Sequence, residues 1–126
     1  MRLLLDTHAL VWWLTDSSSL SPRAKAAVAN PSNKVWASAV SGYELVNKQR
    51  LGKLDPPVAA ELALMLRRAA LPAMAISLEH AIAAAALPGP HRDPWDRLLM
   101  AQARLGELTL VSVDPVFREY GTATLW

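Results

Sequence analysis

The chain has 126 residues, the size of one ordinary domain, and 52% of them are hydrophobic, so a single core is expected over residues 1–126. No apolar stretch approaches the roughly 18 residues of a membrane span, and Met1-Arg2-Leu3-Leu4-Leu5-Asp6 meets an acid too soon for a secretory leader, which points to a soluble, cytoplasmic protein. The absence of cysteine excludes a disulfide framework, a thiolate zinc site and a cysteine nucleophile, and a net charge of +2 is too mild to mark a nucleic-acid binder by itself.

Leu3-Leu4-Leu5 reads as a buried strand with Asp6 directly after it, and Thr7 to Thr15 as a short apolar helix carrying Trp12, Trp13 and Leu14. Ser21-Pro22 is an N-cap followed by a proline at the first helical position, opening a helix through Ala29 that Pro31 stops. Lys34 to Ser38 is the second strand, and Ala39 to Arg50 the helix after it, closed by Gly52. Asp55-Pro56 repeats the capping signal before Val58, Leu62, Met65 and Leu66, which recur at helical spacing as one apolar face; Leu64 lies off that face and hints at a partner surface. A short strand is expected over Ala73 to Ile76, followed by an alanine-rich helix capped by Ser77 and ended by Pro88-Gly89-Pro90. Asp93-Pro94 opens a helix through Arg104, with Gly106 beyond it. The last strands are Thr109 to Val113 and Thr122 to Trp126, with a brief helix from Pro115 to Tyr120 between them. Strands alternating with helices predict an α/β fold: a mainly parallel sheet flanked by helices on both faces.

Four carboxylates stand out: Asp6 and Asp114 follow strands, Asp96 sits in the first turn of the helix opened by Asp93-Pro94, and Glu44 lies within the Ala39 to Arg50 helix. In a parallel sheet Asp6 and Asp114 both fall at the carboxyl edge, where open α/β sheets bind ligands. Two unit charges about 4 Å apart repel by about 4 kcal/mol at an effective dielectric near 20, so converging acids call for a divalent cation. With no thiolate available, oxygen ligands favour Mg2+ or Mn2+. Each position also has a capping explanation, because Asp6, Asp93 and Asp114 precede helices and Asp96 sits in a first turn, where an acid favours the dipole. Glu44 fits the bland account least, since it shares a helical face with Val40 and Asn47.

Basic residues cluster as Lys48, Arg50 and Lys53, as Arg67 and Arg68, and as Arg92 and Arg97 around Asp93 and Asp96. A basic rim around an acidic centre would suit a polyanion whose cleavage needs metal. Rival chemistries lack their parts. His8 occupies the position where an Asp-x-Asp phosphatase needs its second acid, the five glycines form no phosphate-cradling loop, and Gly-x-Ser-x-Gly is absent. His8, His80 and His91 form no zinc signature and read as ordinary polar residues.

Asp6-Thr7-His8-Ala9-Leu10-Val11-Trp12-Trp13-Leu14, Glu44 with Lys48 and Gly52-Lys53-Leu54, His91-Arg92-Asp93-Pro94-Trp95-Asp96-Arg97 through Ala103, and Leu110-Val111-Ser112-Val113-Asp114 with Phe117 and Tyr120 together resemble the PIN domain, most closely the VapC-like toxins of bacterial toxin–antitoxin pairs. The resemblance spans nearly the whole chain in motif order. It implies a metal-dependent endoribonuclease whose catalytic and metal-binding acids match Asp6, Glu44, Asp96 and Asp114, with Ser112 as a polar neighbour of the last. It also implies an RNA substrate, a small VapB-like antitoxin partner and a homodimer. Trp95 stands where phenylalanine is more usual and Ser112 where threonine is common, departures that bear on substrate choice more than on chemistry. A catalytically silent binding module and a DNA nuclease of the same architecture are the alternative readings.

Overall fold

Strand β1 (Arg2–Leu5) sets the plan, because Leu3, Leu4 and Leu5 are all fully buried and so bury both faces of one strand, as a central strand of a parallel sheet must. In the computed structural model, which describes residues 1–53 and 58–126, β1 lies at the middle of a five-stranded sheet. The order is β3-β2-β1-β4-β5, where β2 is Lys34–Ser38, β3 Ala73–Met74, β4 Thr109–Val111 and β5 Thr124–Leu125. Every neighbouring pair is parallel, with Leu4 opposite Trp36 on one side and Leu110 on the other.

Alternation along β1 divides the core. Leu3 and Leu5 pack with Ala9 and Leu10 of α1 (Thr7–Leu14) and with Ala24 and Val28 of α2 (Pro22–Ala29). Leu4 packs on the opposite face with Val40 of α3 (Ala39–Arg50), with Leu99, Met100 and Ala103 of α6 (Pro94–Leu105), and with Phe117 of α7 (Pro115–Glu119). The remaining helices among the described residues are a 3-10 turn, Val58–Glu61, leading into α4 (Leu62–Arg68), and α5 (Leu78–Ala86). None of the described helices is long and apolar enough to cross a membrane.

Three helix starts are capped by serine, with Ser21 Oγ accepting from Ala24 N–H, Ser38 Oγ from Val40 N–H, and Ser77 Oγ from His80 N–H, whereas α4 begins without a side-chain cap. The signal at Asp55-Pro56 lies outside the described residues. Three strands are shorter than the sequence predicts. After Met74 the Ala75 carbonyl accepts from Gln102 Nε2 (3.3 Å) instead of continuing the ladder. Beyond Val111, Ser112 Oγ turns back to accept from Asp114 N–H (3.0 Å). Before β5, Thr122 N–H is spent on the Phe117 carbonyl at the end of α7, with Gly121 at φ +75° making the turn.

Candidate functional site

Chain leaving β1 crosses to β2 on one side, while β4 lies on the other, so the crevice beyond the carboxyl ends of β1 and β4 is the topological switch point of the sheet. A cleft of about 180 Å3 opens there. Asp6, Glu44, Asp96 and Asp114 all line it, and so does Asp93, together with Thr7, His8 and Lys48 over a floor of Leu99 and Phe117.

Three of the five carboxylates reach the cleft because they begin a helix. Asp6 Oδ1 accepts from Ala9 N–H (2.7 Å) at the start of α1, Asp93 Oδ1 from Trp95 N–H (2.9 Å) and Asp96 N–H (3.3 Å) at the start of α6, and Asp114 Oδ1 from Val116 N–H (2.9 Å) at the start of α7. Capping and facing the cleft are therefore compatible, since each cap engages one carboxylate oxygen. Two of these N-termini open the longer helices α1 and α6, whose dipoles favour negative charge at this end.

The other two acids are held by side chains. Glu44 Oε2 pairs with Lys48 Nζ (2.8 Å) one turn along α3, and its Oε1 accepts from the buried Thr7 hydroxyl (2.8 Å). Thr7 Oγ1 also lies 2.8 Å from Ser41 Oγ. With the Thr7 proton given to Glu44, Ser41 is the donor, and a chain of hydroxyls runs from Ser41 through Thr7 to the carboxylate. Asp96 Oδ2 lies 2.9 Å from His91 Nε2, and His91 is itself anchored by its backbone N–H on Tyr120 Oη (2.8 Å).

Burial pushes the Asp6 carboxyl above its ordinary range, with the Asp114 charge adding to the shift and the Ser112 hydroxyl and Ala9 N–H opposing it. Burial likewise raises Asp96, with Asp93 and Asp114 adding repulsion and His91 opposing it. The donor set is made of hard oxygens, and its crowded charge favours a divalent cation. Among the described residues no three His, Asp or Glu side chains are grouped closely enough to cage an ion. A cation held there would need ligands besides these side chains, water among them.

The histidines depart from the sequence reading. His8 lines the cleft, His91 holds Asp96, and only His80, whose Nδ1 accepts from Ser77 N–H (3.0 Å), has a purely local role. The expected basic rim also changes. Arg97 donates to the carbonyls of Ala84, Ala85, Leu87 and His91, tying down the end of α5, and so does not serve the rim, whereas Lys48 stands inside the cleft. Thr7 and Lys48 could have been found from Thr7 following Asp6 and from the i,i+4 spacing of Glu44 and Lys48.

No curated protein matches the chain in sequence. Among solved structures, that of VapBC2 from Rickettsia felis bound to a promoter DNA fragment is similar over 100% of this chain and 99% of its own, with 18% identity and a TM-score of 0.71. DNA-bound VapBC from Salmonella typhimurium matches over 99% and 97%, with 17% identity and a TM-score of 0.71. A toxin–antitoxin complex from Klebsiella pneumoniae matches over 90% and 87%, with 17% identity and a TM-score of 0.54. At such identities these likenesses bear on the fold. A sequence model of the PIN domain, however, matches residues 3–123, a span that contains every acid of the cleft, and the chain belongs to the PIN-domain family.

Proposed function

We propose that this chain is a Mg2+- or Mn2+-dependent endoribonuclease acting as the toxin of a toxin–antitoxin pair. The observation that carries the reading is the meeting of Asp6, Glu44, Asp96 and Asp114 in one cleft at the switch point of a PIN-domain sheet. A bound divalent cation would lower the pKa of a coordinated water and offset charge on a phosphate. Asp6 and Asp114, at the ends of adjacent strands, are the central ligands, and Glu44 and Asp96 complete the set directly or through water. Thr7 fixes the orientation of Glu44 through its hydroxyl, and His91 does the same for Asp96. Lys48 supplies positive charge where a phosphodiester must enter.

The likeness to a toxin–antitoxin complex supports a small VapB-like antitoxin as partner, one that sets a basic side chain among the acids. Leu64, exposed on α4, supports a homodimer. Incubating the purified chain with matched single-stranded RNA and DNA oligonucleotides tests the activity. RNA cleavage that requires Mg2+ or Mn2+ and vanishes with Asp6→Asn is expected. Undiminished RNA cleavage in excess EDTA refutes the metal, preferential DNA cleavage refutes the substrate, and no cleavage of either supports a silent binding module. A monomer by light scattering at micromolar concentration would refute the dimer.

A further inference from the structure

Past Asp114 the carboxyl edge of the sheet changes character. Beyond β4 and β5 lies a second cavity, of about 300 Å3, lined by Arg23, Ser112, Val113, Arg118, Thr124 and Trp126. It adjoins the acidic cleft through the segment Ser112-Val113-Asp114: Ser112 and Val113 line the cavity, Asp114 lines the cleft, and Ser112 Oγ accepts from Asp114 N–H. Where the cleft gathers five side-chain carboxylates, the side chains lining this cavity include two guanidinium groups and no carboxylate. Both arginines are exposed, and among the described residues neither is hydrogen-bonded or ion-paired. Arg104, beside the larger groove of about 730 Å3 on the other flank of α7, is by contrast already committed to the Tyr120 carbonyl.

Aromatic rings join the two cavities by another route. His8 lines the acidic cleft and lies 5.6 Å, centroid to centroid, from Trp12, which lies 5.7 Å from Trp126 in the basic cavity. Trp126 is half-buried and lines the cavity. Paired cations with an aromatic face are what single-stranded nucleic acid selects, because phosphates take the charge and unstacked bases take the ring. A volume near 300 Å3 falls at the small end of ligand pockets, the scale of one nucleotide.

We propose that the cavity between Arg23, Arg118 and Trp126 is a subsite for one nucleotide of single-stranded RNA next to the phosphodiester held at the acids, its phosphate on the two arginines and its base against Trp126. The inference rests on the ribonuclease reading and extends it: the substrate runs along the carboxyl edge from β1 across β4 to β5. Ser112 stands at the step between cleft and cavity.

The test is binding of a fluorescent single-stranded RNA oligonucleotide in EDTA at several salt concentrations, paired with cleavage kinetics in Mg2+. Arg23→Gln, Arg118→Gln and Trp126→Phe are compared with Arg68→Gln on α4 as a control. Each arginine variant should weaken binding by about threefold to tenfold and reduce the slope of log affinity against log salt by about 0.7, the single-strand value per phosphate contact. Under cleavage conditions each should raise KM by more than it lowers kcat. Trp126→Phe keeps a stacking face and should retain most binding, whereas Trp126→Leu should lose about tenfold. Arginine variants that match wild type in affinity and salt slope, while wild type cuts RNA, overturn the subsite and leave the ribonuclease reading intact. Wild type that cuts no RNA, yet binds the oligonucleotide in a manner lost with Arg23→Gln and Arg118→Gln, upholds the subsite and overturns the ribonuclease reading. Variants that keep RNA affinity but lose a co-purifying protein assign the cavity to that protein and overturn the proposal.

Discussion

Thr7→Val is a nearly isosteric change that removes one hydroxyl from the chain Ser41, Thr7, Glu44. The lost hydrogen bond is to an ionised carboxylate, worth about 1.5–3 kcal/mol, and the Ser41 hydroxyl, fully buried, loses its acceptor at a cost of about 1 kcal/mol more. The added methyl returns about 0.8 kcal/mol of apolar burial. The net loss is about 2–3 kcal/mol, which for a domain of this length lowers the melting temperature by roughly 8–11 °C. Urea denaturation in metal-free buffer measures it, with Thr7→Ser as the companion that keeps the hydroxyl and loses only a methyl, at a cost of about 1 kcal/mol. Crossing Thr7→Val with Glu44→Gln should give a coupling energy of about 0.5–3 kcal/mol, as expected of residues in one hydrogen-bonded network. A Thr7→Val protein within about 0.5 kcal/mol of wild type, or a Thr7→Ser protein as unstable as Thr7→Val, would show that the hydroxyl chain does not hold Glu44.

Asp6 and Asp96 have raised carboxyl pKa values in the fold, so the stability they contribute is fully present below their unfolded value near 3.8 and is lost as pH rises through the folded values. Metal-free Asp6→Asn should therefore gain in melting temperature over wild type as pH climbs from about 4 to 7, and a difference that stays flat would contradict the burial of its charge. Asp93→Ala should lose about 0.5–2 kcal/mol by denaturant titration and keep cleavage in its folded fraction, whereas Asp96→Asn should fold and cut nothing; the opposite pairing in a cleavage assay would reverse the two roles. Gly89 has φ +111°, and a Cβ there would lie 2.5 Å from Tyr120 Oη, the group that holds His91. Gly89→Ala should cost about 1–3 kcal/mol, and a melting temperature equal to wild type would show that the loop shifts without strain.

Much of this architecture is written in local signals. Three leucines before an aspartate give a strand buried on both faces and the turn into a helix, and Ser or Asp before proline marks where α2, α6 and α7 begin. These features are local because a cap and its helix lie within a few residues of each other. The meeting of the four acids is a different matter, since it depends on strand order, which no short window contains. Arg97 shows the limit most clearly: a guanidinium near two acids reads as part of a rim, but its partners are carbonyls of α5 and the following loop, set by how α5 packs on α6. Gln102 is a similar case, a fully buried amide held by Ser38 Oγ (2.5 Å) from a strand 64 residues away. His91 reads as an ordinary polar residue because one of its two partners, Tyr120, lies 29 residues away in sequence. Asp93 was legible as a cap, yet its place beside the cleft was not, because a cap reports where a helix starts and not what the helix start faces.

Two of the four strand-to-helix junctions on the carboxyl edge have almost no slack. Asp6 alone separates β1 from α1 and nothing separates β2 from α3, whereas Ala75-Ile76-Ser77 separates β3 from α5 and Ser112-Val113-Asp114 separates β4 from α7. At the opposite edge the helices return to strands through residues 30–33, 69–72, 106–108 and 120–123. An inserted residue turns the face of a helix by about 100°, so an insertion at Asp6 would swing Ala9 and Leu10 away from the core as well as displacing the acid. Length variation at the two tight junctions of the carboxyl edge is thus coupled to collapse of the fold. At those two junctions the edge can vary by replacing side chains but not by lengthening.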